Sequence, residues 1–370
     1  MHTQMGRIHG AALTDIGLRR AVNEDAVLSA RSIFAVADGM GGHEAGDLAS
    51  RLCIETLAQI AVDPAGVGPT GLPHAQAVLA QVERADAMIR DAIGSRGGTT
   101  LCALALVSCE PGGGTWPQEK PAAVTTIQLP VQPDAAAAPQ AEVSPARYLD
   151  AVQEAHVHPG DAVFHHGAAG PAEPAPTTDV LPYTPAAGAG TPAVTRLDGG
   201  EQTPENQRGA TQGAVPQGDP SRDPEPGEEP AVRLMLLNVG DSRGYRLRDG
   251  RLTQLTLDHS AVQELIDAGS ITEAEARIHP QRNLITRALG AGGNSVPDSQ
   301  FHELAAGDRY LLCSDGLTGE VDPAGIERIL NETPDRAEAM ARLVDAALAS
   351  GGRDNISVVI VDVSEPGQAA

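Results

Sequence analysis

Apolar runs of this chain repeatedly stop, or start, at an aspartate. Asp38-Gly39 closes the run Ile33-Phe34-Ala35-Val36-Ala37, Gly240-Asp241 follows residues 232–239, Asp315-Gly316 follows 310–313, and Asp354-Asn355 precedes 356–363. Runs of that length and bulk are buried strands. A single Asp-Gly after a strand is an ordinary turn. Four such acids on separate strands converge on a common edge, which their repulsion forbids unless cations sit among them. Oxygen-only ligation, without Cys or His at these positions, selects hard ions such as Mg2+ or Mn2+. Two ions sharing a carboxylate can acidify a bridging water and clamp a phosphoryl group for in-line attack. Around Asp38, the glycines at 39, 41 and 42 allow the backbone close to such an ion. A nucleotide-binding glycine loop is excluded, because position 44 is Glu and because Asp38 and Glu44 would repel a pyrophosphate.

The coarse reading alternates strands and helices. Residues 14–25 read as a solvated edge strand and turn, or as a guanidinium, Arg20, that can grip a phosphate beside two acids, Glu24 and Asp25. Apolar residues at helical spacing predict helices over about 45–61 and 75–93, separated by a Pro/Gly loop at 63–73. Residues 101–107 form a central strand. Asp249-Gly250 between short apolar runs signals a hairpin. Ser260 caps a helix to about 268, and residues 272–283 form a short helix and loop. Helices over 323–331 and 335–349 precede the last strand.

Between them the composition breaks. Residues 110–230 hold 20 of the 28 prolines, with 17 acidic and 5 basic residues. Such a segment buries too little apolar surface to offset its ordering entropy, so it is expected to be mostly disordered. A short helix is expected at 145–154, and His156, His158, His165 and His166 read as a solvated tract rather than a metal cluster. The chain therefore divides into a discontinuous domain, 7–109 with 231–363, an acidic insert at 110–230, and a tail at 364–370.

A net charge of −23 argues against nucleic acid and anionic membranes as partners. No apolar run reaches the length of about 18 residues that a membrane span needs, and the N-terminus lacks a signal-peptide core. The four cysteines form no CxxC pair and read as small buried hydrophobes. A cytoplasmic, monomeric protein is expected.

Seven motifs stand in family order: Arg20-Ala-Val-Asn-Glu24-Asp25, Ala37-Asp38-Gly39-Met40-Gly41-Gly42-His43, Gly98-Thr99-Thr100, Val239-Gly240-Asp241-Ser242-Arg243, Asp258-His259-Ser260, Cys313-Ser314-Asp315-Gly316-Leu317 and Arg353-Asp354-Asn355. Together they resemble the bacterial branch of the metal-dependent (PPM, type 2C) serine/threonine protein phosphatases, over residues 14–109 and 231–363.

The resemblance implies an α+β fold: a four-layer α-β-β-α sandwich of two antiparallel sheets flanked by helices, with the metals at one end. It implies a phosphatase acting on phosphoserine and phosphothreonine proteins through a metal-activated water, opposing a bacterial Ser/Thr kinase. Its cofactors would be two Mn2+ or Mg2+ ions, with a third in bacterial members. Asp38 would bridge the two ions, the Gly39 carbonyl would ligate one, and Asp315 and Asp354 would complete the other site. Asp241 with Asp315 would hold the third. Glu24 and Asp25 would orient water from behind the ligands, Arg20 would bind the substrate phosphate, and residues 259–283 would form a flap beside the site. Animal members place a histidine directly after the Asp-Gly pair; here that residue is Met40. The general acid is then a water on the metals, with His43 as second choice. Two rival roles are a non-catalytic phosphoprotein-binding scaffold of the same fold and a phosphatase devoted to a sigma-factor antagonist. A scaffold would be expected to have lost metal acids that this chain keeps.

Overall fold

The computed structural model describes residues 7–61, 71–94, 96–109, 163–164 and 231–364, which belong to one unit. In chain order, the first half comprises β1 (Arg7–Asp15), β2 (Asp25–Ser29), β3 (Ile33–Met40), α1 (His43–Ala58), a 3-10 turn (Gln59–Ala61), α2 (Ala75–Ile93), β4 (Gly98–Thr99), β5 (Leu101–Cys109) and β6 (Val163–Phe164). The second half comprises β7 (Ala231–Val239), β8 (Arg243–Arg248), β9 (Arg251–Gln254), α3 (Ala261–Asp267), α4 (Glu273–Ala276), β10 (Asp298–His302), β11 (Arg309–Cys313), α5 (Asp315–Thr318), α6 (Pro323–Glu332), α7 (Arg336–Ser350) and β12 (Ile356–Ser364).

These strands form two sheets, ordered β1-β12-β11-β8-β9 and β10-β7-β5-β3-β2-β6, with β4 beside β3. Every pairing between these strands is antiparallel. Side chains alternate across a strand, so a strand buried on both faces feeds two different cores. On β5, Leu101, Ala103, Ala105 and Val107 join a core with Cys53 and Leu57 of α1 and Val82 and Ile89 of α2. Its alternate residues, Cys102, Leu104 and Leu106, meet Tyr310, Leu312, Val359 and Val361 of the other sheet. Ile356, Val358 and Ile360 of β12 in turn face Ile326, Leu343 and Val344 of α6 and α7. The result is the expected α-β-β-α order. Each fully buried Val, Leu or Ile contributes about 1.5–3 kcal/mol, so the two-faced strands anchor the sandwich.

The β8–β9 turn forms where expected, with Asp249 and Gly250 both at positive φ (52° and 77°), as a two-residue hairpin of this twist requires. The four cysteines are buried and free. Helix α1 starts earlier than expected, at His43, because Gly42 at φ 85° turns the chain into it without a side-chain cap. Residues 14–25 depart from a solvated strand and turn: Thr14 and Asp15 end β1, which is an edge strand, but Glu24 and Asp25 are buried. Cys109 pairs with Ala231, so the residues flanking 110–230 are neighbours on adjacent interior strands. Within it, Val163–Phe164 lies antiparallel to β2. The helix expected at 145–154, the histidine tract and most of the 63–73 loop lie outside the described residues.

Candidate active site

The inter-sheet layer is apolar until it reaches one end of the sandwich. On β3 the residues facing it are Phe34 and Val36, and the same parity aims Asp38 into it. On β2, Val27 sets the parity and Asp25 follows, directly opposite Asp38 in the antiparallel register. Two carboxylates facing one another across a ladder are destabilising unless something neutralises them.

Asp38 is fixed through its backbone. Its amide donates to Thr100 Oγ1 (3.0 Å), and its carbonyl accepts from Thr100 N (2.9 Å) and Thr99 Oγ1 (3.0 Å). Gly39 donates its N–H to the Glu24 carbonyl at 3.1 Å. A Cβ at position 39 would lie 2.2 Å from Gly46 O and 2.5 Å from Glu24 O, so only glycine fits there. Position 46 is equally tight: a Cβ would meet the Glu24 carboxylate 2.5 Å away.

Asp315 opens α5 and is hydrogen-bonded to Asp38. Ser314, beside it, donates to Asp25 Oδ2 at 2.9 Å. Burial, reinforced by the neighbouring aspartates, pushes these acids upward: Asp315 to about 6, Asp25 to about 7 and Asp241 to about 8. Asp38 is raised well above its ordinary value for the same reasons, burial first and then Asp25, Asp315, Asp241 and Asp354. Asp241 Oδ1 is buried and has no hydrogen-bond partner among the described residues. Asp354 Oδ1 accepts from Asn355 N (2.9 Å) and Oδ2 accepts from Arg20 Nη2 (2.6 Å).

An all-oxygen donor set, mutual repulsion and an orphaned buried carboxylate oxygen suit hard divalent cations. Among the described residues no three Asp, Glu, His or Cys side chains are already drawn into a ligating cage. Arg20, on Asp354, brings one positive charge to the rim of this cluster.

Several residues that sequence reasoning left without a role position this cluster. Asn355 accepts from Glu24 N (2.9 Å) and donates to Ile16 O (3.0 Å) and Val22 O (3.1 Å), tying the Arg20 loop to β12. Gly17, at φ 76°, lets that loop pass Asp354, whose carbonyl a Cβ would approach to 2.1 Å. Thr100 Oγ1 also meets Ser242 Oγ at 2.7 Å, linking Asp38 to the Asp241 turn. Asp86, buried on α2, accepts from Gly290 N at 2.8 Å and so pins the chain beyond residues 259–283. An acid inside the apolar stripe Val82-Ala85-Ile89 was the available signal for it. His43 opens α1; its side chain lies outside the described part of the structure.

No family model matches this chain. Over 133 residues, 35% of the chain, it is 53% identical to the serine/threonine protein phosphatase PstP of Mycobacterium tuberculosis, and over 140 residues, 37% of the chain, it is 40% identical to the serine/threonine phosphatase stp of Listeria monocytogenes. These matches span 25% and 56% of the two relatives' lengths. A crystal structure of the M. tuberculosis phosphatase PstP/Ppp matches with a TM-score of 0.58 and 29% identity, covering 97% of this chain and 99% of that one. The catalytic domain of PstP in complex with two manganese ions matches with a TM-score of 0.55 and 29% identity, over 98% of this chain and 100% of that one. Two antiparallel sheets between helix layers, with aspartates gathered at one end, are the arrangement this chain shares with these phosphatase structures. In sequence and in fold the chain is thus similar to the bacterial PPM (type 2C) phosphatases.

Proposed function

We propose that this chain is a protein serine/threonine phosphatase that hydrolyses phosphoserine and phosphothreonine with two Mn2+ or Mg2+ ions and a third at a separate site. The observation that supports this most is the convergence of half-buried Asp38 and Asp315 with buried Asp241, all raised by desolvation and by neighbouring aspartates. Asp38, the Gly39 carbonyl, Asp315 and Asp354 would hold the two ions, and Asp241 with Asp315 the third. When bound, the ions would acidify a water and neutralise charge on the phosphoryl oxygens.

The chain's own groups divide the remaining work. Arg20 offers a planar fork of donors at the exposed rim, matched to phosphate oxygens. Asp25 and Glu24, both buried, would hold the cluster's geometry and orient water at its face. Met40 occupies the position after Asp38-Gly39, so no side chain there can hand a proton to the leaving alkoxide, and we assign that step to water. A protein-phosphatase role makes phosphoproteins and a Ser/Thr kinase the partners, and we place the enzyme in the cytoplasm as a monomer. Among the described residues no helix is long and apolar enough to cross a membrane. Phosphate release from phosphoserine, phosphothreonine and phosphotyrosine peptides tests the reading. Release from the first two in Mn2+ is expected; binding of phosphopeptides without release would favour the scaffold alternative.

A further inference from the structure

We propose that His259 is a positioning residue that sets Asp241 for its cation by holding both backbone groups of Gly240. The proposal rests on the reading of Asp241 and Asp315 as a cation site.

Gly240 lies at φ 103° between β7 and Asp241, and a Cβ there would meet Thr100 Cγ2 at 2.6 Å. Its N–H donates to His259 Nδ1 at 3.0 Å, and its carbonyl accepts from His259 N at 2.9 Å. One residue therefore clasps the peptide unit on each side of Gly240, and the direction of the Asp241 carboxylate follows from that turn. Nδ1 is therefore the accepting nitrogen of the ring. Nε2 stands 2.8 Å from Arg287 Nη1 and 3.3 Å from Asp298 Oδ2, and Arg287 Nη1 also donates to Asp298 Oδ1 at 2.8 Å. Hydrogen bonds from His259 and Arg287 hold the Asp298 carboxyl down at about 2, so it stays a carboxylate that orients the ring. This is the carboxylate–histidine arrangement that orients metal ligands elsewhere, here directed at a backbone turn.

His259 also closes the excursion beside the site. Thr286 N donates to the His259 carbonyl at 2.8 Å, and Ser260 bridges Ile285. Its N–H, carbonyl and both ring nitrogens are thus all engaged, which ties the base of residues 261–284 to the turn that carries Asp241. The ring is buried, and Asp241 retains the unpartnered carboxylate oxygen that such a clasp would aim.

Isothermal titration of the full chain with Mn2+ tests this. Wild type is expected to bind two tighter ions and a weaker third. His259→Gln moves its amide away from the Nδ1 position and loses the Gly240 acceptor, so the third ion should weaken roughly 10- to 100-fold while the tighter pair is unchanged. His259→Asn places Oδ1 where Nδ1 stands and should restore most of that loss. Asp298→Asn, at a half-exposed site, loosens the ring from outside and should weaken the third ion by less than His259→Gln does. Melting curves separate misfolding from lost positioning; if both His259 variants fail to fold, Asp298→Asn decides alone. A third ion unchanged in Asp298→Asn, or Asn no better than Gln in folded protein, overturns the proposal. A wild type that binds no third ion overturns the reading of Asp241 itself, and the positioning role with it.

Discussion

Arg20 Nη2 donates to Asp354 Oδ2 at 2.6 Å, so the guanidinium proposed for the substrate phosphate is held by an acid of the proposed metal cluster. The pair is partly exposed, with side chains 49% and 34% accessible, so it adds little to stability and leaves Arg20 able to exchange partners. Arg20→Ala should therefore raise KM for a phosphomonoester roughly 10- to 100-fold, the worth of a charge-assisted bidentate contact, with a smaller effect on kcat. Steady-state kinetics with p-nitrophenyl phosphate check this. Unchanged kinetics would return Arg20 to the solvated rim.

Asn355 should matter more for folding. Its buried amide satisfies Glu24 N, Ile16 O and Val22 O together. Asn355→Ala strands these groups and should destabilise the domain by about 2–4 kcal/mol, roughly 1–3 kcal/mol for the buried Glu24 N–H and less for the two part-buried carbonyls. A melting temperature within a degree of wild type would show that the Arg20 loop is held by something else.

The buried acids predict an unusual pH dependence for metal-free protein. Asp315, Asp25 and Asp241 lie at about 6, 7 and 8 in the folded chain against an ordinary 3.8. The folded state then binds more protons than the unfolded one across that window. Stability is full below the ordinary value and is lost as pH rises toward 8. In EDTA the melting temperature should fall from pH 5 to pH 8, and Mn2+ should flatten or reverse the trend. A flat curve in EDTA would mean that these acids are not mutually repelling.

The strand-end acids were legible in the sequence because a buried strand is a continuous apolar run and Asp38, Asp241 and Asp315 interrupt the chain where such runs stop. The sheets themselves were less legible. β2 is five residues long, β1 is built largely of small and polar residues, and β10 carries no alternating apolar pattern, so none of them announced itself. The antiparallel arrangement came from the family resemblance rather than from spacing. Residues that fix the site from afar were silent for a different reason: Asn355 acts on groups 331 to 339 positions away, and Thr100 on Asp38, 62 positions away. Only folding brings such partners together. Burial of Glu24 and Asp25 was likewise hidden by the charged, exposed residues around them.

The register of β5 and β7 bears on whether residues 110–230 can be removed. Cys109 faces Ala231 at the far end of strands whose other ends, Leu101 and Val239, adjoin Thr100 and the Gly240-Asp241 turn. We predict that joining Cys109 to Ala231 through about five residues keeps the fold and small-substrate turnover. It should stabilise the core by up to roughly 3 kcal/mol from loop closure alone. Pairing of Val163–Phe164 with β2 works against part of that gain. A lower melting temperature together with lost turnover would make the insert an integral part of the domain.

The account turns on Asp38, which is proposed to hold two ions at once. The most direct measurement is hydrolysis of p-nitrophenyl phosphate by wild type and Asp38→Ala, each in EDTA and after readdition of Mn2+. The account predicts wild-type turnover that vanishes in EDTA and returns with Mn2+, and an Asp38→Ala protein that is folded and inactive in both. Turnover that survives EDTA, or an Asp38→Ala protein that Mn2+ restores to wild-type rate, would contradict it.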